Sequence, residues 1–172
     1  MQIIEVIIYL VPAILVFLAS YLIIRSFINK EREQRRYELH RMNQKTVTPI
    51  RLQAYERIVL FLERISPESM IMRVSNPKET AGQLHTKLLN TIRAEYEHNL
   101  SQQIYVSDRA WEVVRSARSN VIKLINTQAE QVDKRAPSFE LSKKILEAHM
   151  QGDKSPITVA IEYLKREMKQ FF

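Results

Sequence analysis

The sequence is short of the residues that disulfides, tight turns and phosphate-binding loops require. Its 172 residues include no cysteine, two glycines and six prolines. The lack of cysteine excludes disulfides, thiol catalysis and thiolate metal sites. A β-rich fold needs many tight turns and a phosphate cradle needs a glycine-rich loop, so two glycines argue against both. Leu, Ile, Ala, Glu, Lys, Arg and Gln are abundant, and these residues favour helix. The composition therefore predicts an all-α protein.

Charge is also missing from a long stretch near the start of the chain. No charged side chain of either sign lies between Glu5 and Arg25, and most residues from Val6 to Ile24 are Ile, Leu, Val or Phe. At 1.5 Å per residue, a helix of this length approaches the roughly 30 Å hydrocarbon layer of a bilayer. We predict that residues 1–28 form a transmembrane anchor that contacts the lipid bilayer.

A cleaved signal peptide and a buried helix of a soluble domain both fit this stretch less well. A signal peptide has a basic start, a shorter apolar core and a small-residue cleavage site. Here no Lys or Arg precedes Arg25, and the apolar run is too long. A buried helix of a soluble domain normally keeps a polar face, which is absent between Val6 and Ile24.

Basic residues follow the apolar stretch and set its predicted orientation. Residues 25–64 hold ten Lys or Arg against five Asp or Glu. Their net charge of +5 is most of the +7 carried by the whole chain. The positive-inside rule places this flank in the cytoplasm and the N-terminus outside. We predict a basic, helical juxtamembrane stalk over residues 29–47. Attraction to anionic lipid suffices to explain this charge, so the sequence does not favour nucleic acid as a partner.

Residues 48–172 are predicted to form a small cytoplasmic helical bundle. A capping residue precedes proline at Thr48-Pro49, Ser66-Pro67, Asn76-Pro77 and Ser155-Pro156. Proline at the first helical position loses no hydrogen bond, so these pairs predict helix starts near residues 49, 67, 77 and 156. Glu79 lies three residues after Asn76, which resembles a capping box. Gly152 is a predicted helix end.

The apolar residues after these starts recur every three or four positions, as amphipathic helices require. The long helices from Pro77 to about Gln102 and after Ser107 are predicted to pack as an antiparallel hairpin. The inward residues predicted for the first long helix are Ile50, Ala54, Ile58, Phe61, Leu62 and Ile65, widened by Leu52, Tyr55, Val59 and Leu60. Those of the second are Ala81, Leu84, Leu88, Ile92, Tyr96 and Leu100. Those of the third are Ala110, Val114, Ala117, Val121, Leu124 and Gln128, with Val113 and Ile125 beside them.

One motif with possible chemistry is the Glu-x-x-His formed by Glu95 and His98. Di-iron bundles hold metal with this spacing, but they need a second such pair and further glutamates on facing helices. The sequence has no second pair. We therefore interpret Glu95 and His98 as part of a solvated polar face. Trp111 is interpreted as closing one end of the bundle, with an interface anchor as the alternative. We predict no catalytic, cofactor-binding or metal-binding residue and see no evident small-molecule substrate.

One segment resembles a known family. It runs from Thr48-Pro49-Ile50-Arg51-Leu52 through Phe61-Leu62-Glu63-Arg64 to Ser66-Pro67. This stretch, with the anchor, basic stalk and helical tail, resembles a family of uncharacterised membrane-anchored helical proteins from Bacteroidota. The resemblance implies an address in a Gram-negative inner membrane. It implies no known activity and transfers no functional residue.

These observations favour a non-enzymatic interaction or scaffold protein. A single span would hold the bundle at the cytoplasmic face of the bacterial inner membrane, where it binds another protein or itself. The alternative hypothesis is a membrane-tethered nucleic-acid-binding protein that uses Arg35, Arg36, Arg41, Arg51 and Arg57. A third hypothesis, an unusual enzyme, rests only on Glu95 and His98.

Overall fold

The computed structural model describes residues 16–18, 20–22, 24–28, 30–31, 47–151 and 155–171. Within these residues the protein is all-α, as predicted, and the one β-like feature is an isolated bridge between Thr80 and Pro137. The chain divides into two compact units, Met1–Val47 and Thr48–Phe172.

The described residues of the first unit are helical. The predicted anchor, residues 1–28, and the predicted stalk, residues 29–47, lie largely outside the described residues. In the part of the chain that the structure describes, no helix combines the length and the apolar character needed to cross a bilayer.

The second unit is a bundle of helices. Within it, helix α1 covers residues 48–64, α2 covers Pro67–Val74, α3 covers Ala81–Asn99, α4 covers Asp108–Ala129, α5 covers Ser138–Met150 and α6 covers Pro156–Met168. A 3₁₀ turn, Leu100–Ile104, links α3 to α4, and another, Lys169–Phe171, follows α6. Every helix contributes to one apolar core, with fully buried representatives at Ile58, Met70, Leu88, Val114, Ile145 and Leu164.

The α3–α4 hairpin is antiparallel, as the sequence predicted. Tyr96 near the end of α3 stacks on Trp111 near the start of α4. His85 near the start of α3 lies 2.8 Å from the Oδ1 atom of Asn126 near the end of α4. Ser107 caps α4 as predicted, because its Oγ accepts the Ala110 N–H at 3.0 Å.

The predicted helix starts are confirmed at Pro67 and Pro156, although the hydroxyls of Ser66 and Ser155 make no capping hydrogen bond. The start near residue 49 stays a prediction, because Val47 and Thr48 are helical and the residues just before them lie outside the described ones. The predicted end at Gly152 lies outside the described residues.

The start predicted at Pro77 is wrong, since α3 begins at Ala81. Asn76 instead forms a turn, in which its Oδ1 accepts the Lys78 N–H at 3.0 Å. The capping box is made by Thr80 and Gln83, each of whose side chains accepts the other's backbone N–H. The turn-forming pair Asn76-Pro77 and the true cap Thr80 therefore lie close together, and Asn76-Pro77 resembles a helix start without being one.

The beginning of α3 is held by the segment between α4 and α5. The backbone N–H groups of Ala81 and Gly82 donate to the carbonyls of Ala136 and Lys134, at 2.8 and 3.0 Å. Because the first N–H groups of a helix have no partner within that helix, these carbonyls replace water at the α3 start. Space is tight there, since a Cβ added at Gly82 would lie 3.2 Å from the Lys134 carbonyl oxygen.

The predicted apolar stripes are confirmed in most of their positions. The exceptions on α1 are Ile50, Leu52 and Leu60, which are exposed, while Tyr55 is buried. On α4, Ile125 is buried and Leu124 only partly so. Leu100 is exposed because the chain leaves the α-helical path there and enters the 3₁₀ turn.

Candidate functional site

Tyr96 lines a polar cleft beside α4, and two further aromatic rings pack against it. Tyr96 stacks on Trp111 with ring centroids 5.7 Å apart and planes at 24°, and it meets Phe61 at 6.0 Å and 55°. Trp111 and Phe61 are buried and Tyr96 is half-buried. The amphipathic patterns of α1, α3 and α4 bring these rings together, because each ring lies on or beside a helix's buried stripe. Trp111 therefore packs inside the bundle, as its structural interpretation predicted.

Arg118 lies over this aromatic group. Its Cζ atom is 3.9 Å from the centroid of the Tyr96 ring, a cation–π contact that holds the guanidinium over the ring. The Nε atom of Arg118 is buried and makes no hydrogen bond to any described residue. A buried N–H without a partner is costly, typically about 1–3 kcal/mol, so Arg118 holds this position at a cost to stability.

The surrounding cleft is basic and rich in hydrogen-bond donors. It has a volume of about 650 Å³ and runs along the outer face of α4, lined by Tyr96, Arg109, Glu112, Val113, Arg115, Arg118 and polar residues Ser116, Ser119 and Asn120. Arg109 pairs with Glu112 at 3.1 Å in an exposed contact. Three arginines against one glutamate leave a net formal charge of +2 in the lining. We call this the α4 cleft.

The Glu-x-x-His residues have other partners. The Glu95 carboxylate lies 3.3 Å from the guanidinium of Arg64 and 3.7 Å from that of Arg73, joining α3 to α1 and α2. His98 Nε2 lies 3.3 Å from the Arg57 guanidinium. Among the described residues, no group of three or more His, Asp or Glu side chains is arranged to hold a metal ion. This arrangement lets Glu95 and His98 join helices.

Two of the arginines named for the nucleic-acid hypothesis also contact the protein. Arg51 Nε donates to the Tyr105 carbonyl at 3.1 Å, and Arg57 lies against His98. Arg35, Arg36 and Arg41 lie outside the described residues. The basic cluster that the structure does describe is on α4, and it involves none of these five.

A second polar cluster joins α1, α4 and α6. The Tyr55 hydroxyl donates to Glu167 Oε1 at 2.5 Å, and Ser107 Oγ donates to Glu167 Oε2 at 2.9 Å. Burial raises the pKa of the Tyr55 hydroxyl far above its usual value. The hydrogen bond and negative charge of Glu167 raise this pKa further, against smaller opposing effects of Arg51 and the Ser107 backbone. The geometry is that of a clamp: a buried phenol that keeps its proton and holds a carboxylate.

Neither the α4 cleft nor this clamp was predicted from the sequence. Arg115 lies on the exposed side of α4, and Arg118 lies beside the apolar stripe three residues further on; this spacing was the available signal for the cleft. For Tyr55 and Glu167 no local signal exists, because they are 112 residues apart in the chain.

The comparisons define the chain at the level of its family. It belongs to DUF7935, a family of unknown function whose sequence model matches residues 1–171. Searches of curated proteins and of solved structures returned no match.

Proposed function

We propose that this DUF7935 member is a non-enzymatic, membrane-anchored interaction protein that presents its helical bundle at a membrane surface. The observation that carries the proposal is in the first unit. Its described helical residues include eight large apolar side chains, all exposed: Val16, Phe17, Leu18, Tyr21, Leu22, Ile24, Phe27 and Ile28.

These side chains cover about two thirds of the circumference of the helix. Residues 16, 17 and 18 point about 100° apart, as do 20, 21 and 22, so a single protein neighbour on one face would leave most of them in water. Burying one large apolar side chain is worth about 1.5–3 kcal/mol, so the eight together represent more than about ten kcal/mol. A hydrocarbon environment surrounds a helix on all sides and meets this requirement.

The direction of the anchor follows from its flanks. Arg25 directly follows the uncharged stretch that ends at Ile24, Lys30 follows soon after, and no Lys or Arg precedes Arg25. The positive-inside rule then supports a single span with the bundle in the cytoplasm. A bacterial inner membrane is the location consistent with this arrangement and with the resemblance drawn from the sequence.

The bundle offers surface for a protein partner or a second copy. Its core is complete, yet Met72 on α2 and Ile104 in the 3₁₀ turn keep 88% and 75% of their surface exposed. Single exposed apolar residues are common, so these two serve as probe positions for the interaction.

The anchor is tested by fractionation of the full chain from native membranes. In the variant L18K/L22K, two Lys side chains replace exposed leucines of the first unit, and charge in a span costs about 2.5–3.5 kcal/mol per residue. The matched control is L52K/L60K, which changes two exposed leucines of α1. We expect wild type and control to stay in the pellet after an alkaline wash and L18K/L22K to be released. Release of wild type would refute the anchor.

The interaction is tested by crosslinking in intact membranes. A photo-reactive residue is placed at Met72 or Ile104, with exposed Glu97 as the control position. We expect one recurrent, near-stoichiometric adduct, with another protein or a second copy, at Met72 or Ile104 and not at the control. Recovery of a lone monomer from every position would count against an interaction role.

The alternative function is a membrane-tethered nucleic-acid binder, and the arginines of the α4 cleft are the observation that favours it. Binding through phosphates would weaken steeply as salt rises, because each contact releases condensed counterions. Full chain in detergent that binds neither DNA nor RNA at low salt would exclude this alternative.

A further inference from the structure

We propose that the α4 cleft is a binding site for a phosphate-bearing ligand. Arg118 is the central donor of this site. Its guanidinium is held against Tyr96, which is itself stacked on Trp111, so the donor is fixed before any ligand arrives. A fixed donor loses little side-chain entropy on binding, which is the usual advantage of a preorganised site.

Further donors accompany Arg118 in the cleft. Arg115 lies one helical turn away, Ser116 and Ser119 bring hydroxyls, and Asn120 brings an amide. Guanidinium groups match the geometry of phosphate oxygens and bind them with two parallel hydrogen bonds. Because the Arg118 Nε is buried, a phosphate oxygen would bind through the terminal N–H groups of the guanidinium.

The size and charge of the cleft limit the ligand. The cleft holds about 650 Å³, within the range of small-molecule sites, and its lining carries a net charge of +2. A doubly charged phosphate monoester or a phospholipid headgroup fits these limits. A nucleic acid normally requires a longer basic stripe. The site is independent of the membrane anchor, because it involves only contacts within the bundle.

The chain contains a built-in reporter for the test. Trp111 is the single tryptophan and contacts Tyr96, which lines the cleft. Full chain in nanodiscs of neutral lipid is titrated with inorganic phosphate and with glycerol 3-phosphate while Trp111 emission is followed. The same protein is then compared in nanodiscs of neutral and of anionic phospholipid, which separates a soluble ligand from a headgroup.

The variants are R115Q, R118Q and R118K, with R135Q as the control. Arg135 is an exposed arginine between α4 and α5 and does not line the cleft, so R135Q removes the same charge elsewhere. We expect at least a tenfold loss of affinity for R118Q and a loss of severalfold for R115Q. R118K, which keeps the charge and loses the planar fork, is expected to lie between wild type and R118Q, and R135Q to match wild type.

R115Q changes an exposed side chain, so we expect this variant to fold normally even if R118Q destabilises the protein. A response to soluble phosphates, or to anionic lipid alone, that R115Q weakens and R135Q preserves supports the site and identifies the source of the phosphate. No response to any phosphate probe would overturn the proposal. An equal loss in R115Q and R135Q, or binding of an acidic peptide or oligonucleotide without binding of either phosphate, would overturn it as well.

Discussion

Replacing Tyr55 with phenylalanine removes one oxygen from the clamp that joins α1, α4 and α6. The Tyr55 residue is 1% exposed, and its hydroxyl donates to a carboxylate at 2.5 Å. Hydrogen bonds to charged groups contribute about 1.5–3 kcal/mol to stability. Glu167 is only half-buried, so water can replace the lost donor. We therefore expect Y55F to lower the free energy of unfolding by about 1–2 kcal/mol at pH 8.

The same substitution has a distinctive dependence on pH. The pKa of Tyr55 is raised in the folded protein, so above pH 10 the unfolded chain loses this proton while the folded chain keeps it. The folded state then binds more protons, and stability falls as pH rises. At pH 11 this effect costs wild type about 1.4 kcal/mol and leaves Y55F untouched, because phenylalanine does not ionise. The difference between the two proteins should therefore shrink towards zero at pH 11.

The assay is urea unfolding of the full chain in detergent, followed by circular dichroism at pH 8 and pH 11. Lysine and arginine titration at high pH affects both proteins alike, so only the difference between them is interpreted. If wild type and Y55F lost stability in parallel between the two pH values, the reasoning from a buried, protonated phenol would be wrong.

Three further predictions concern packing and helix ends, and each uses the same unfolding assay. Ile58→Ala should lower the free energy of unfolding by about 2–5 kcal/mol because Ile58 is fully buried. Leu60→Ala should change it by no more than about 0.5 kcal/mol because Leu60 is 55% exposed. Similar losses in the two variants would contradict the orientation of α1. Thr80→Ala should cost about 1 kcal/mol through the lost cap, and Asn76→Ala clearly less; the reverse order would restore the start predicted at Pro77. Gly82→Val should lower the free energy of unfolding by about 1–3 kcal/mol because the valine side chain meets Lys134. In Gly82→Ala, a gain in helix propensity of about 1 kcal/mol offsets the crowding. If Gly82→Val left stability unchanged, the α4–α5 segment would have to move away from α3 without cost.

The sequence was sufficient where burial follows a regular period. The stripe through Leu84, Leu88 and Ile92 predicted which face of α3 enters the core, and the short link after it predicted an antiparallel partner. Prediction was weaker at helix ends, because Asn76-Pro77 and Thr80 carry competing signals only four residues apart. It also failed on α1 at Leu60, where a run of apolar residues offered no contrast between the inner and outer faces.

The candidate site was harder to foresee because distant residues create it. Residues 101–137 hold six Lys or Arg against four Asp or Glu, a nearly balanced count that conceals the three arginines along α4. The aromatic group depends on Tyr96 crossing from α3 to meet Trp111 and Arg118. The residue spacing within a single helix does not predict a contact between α3 and α4. The contact forms only when the hairpin is folded.

The hydrogen bonds between the α4–α5 segment and the start of α3 make local opening at this contact measurable by hydrogen exchange. Amide hydrogens in the first turn of a helix usually exchange with solvent early, because helix ends fray at little cost. At Ala81 and Gly82 these hydrogens are bonded to carbonyls more than fifty residues further along the chain. Their exchange therefore requires two separate segments to part. In a hydrogen-exchange experiment, these two amides would report on the contact between the α4–α5 segment and the start of α3, while the helix end itself remained intact.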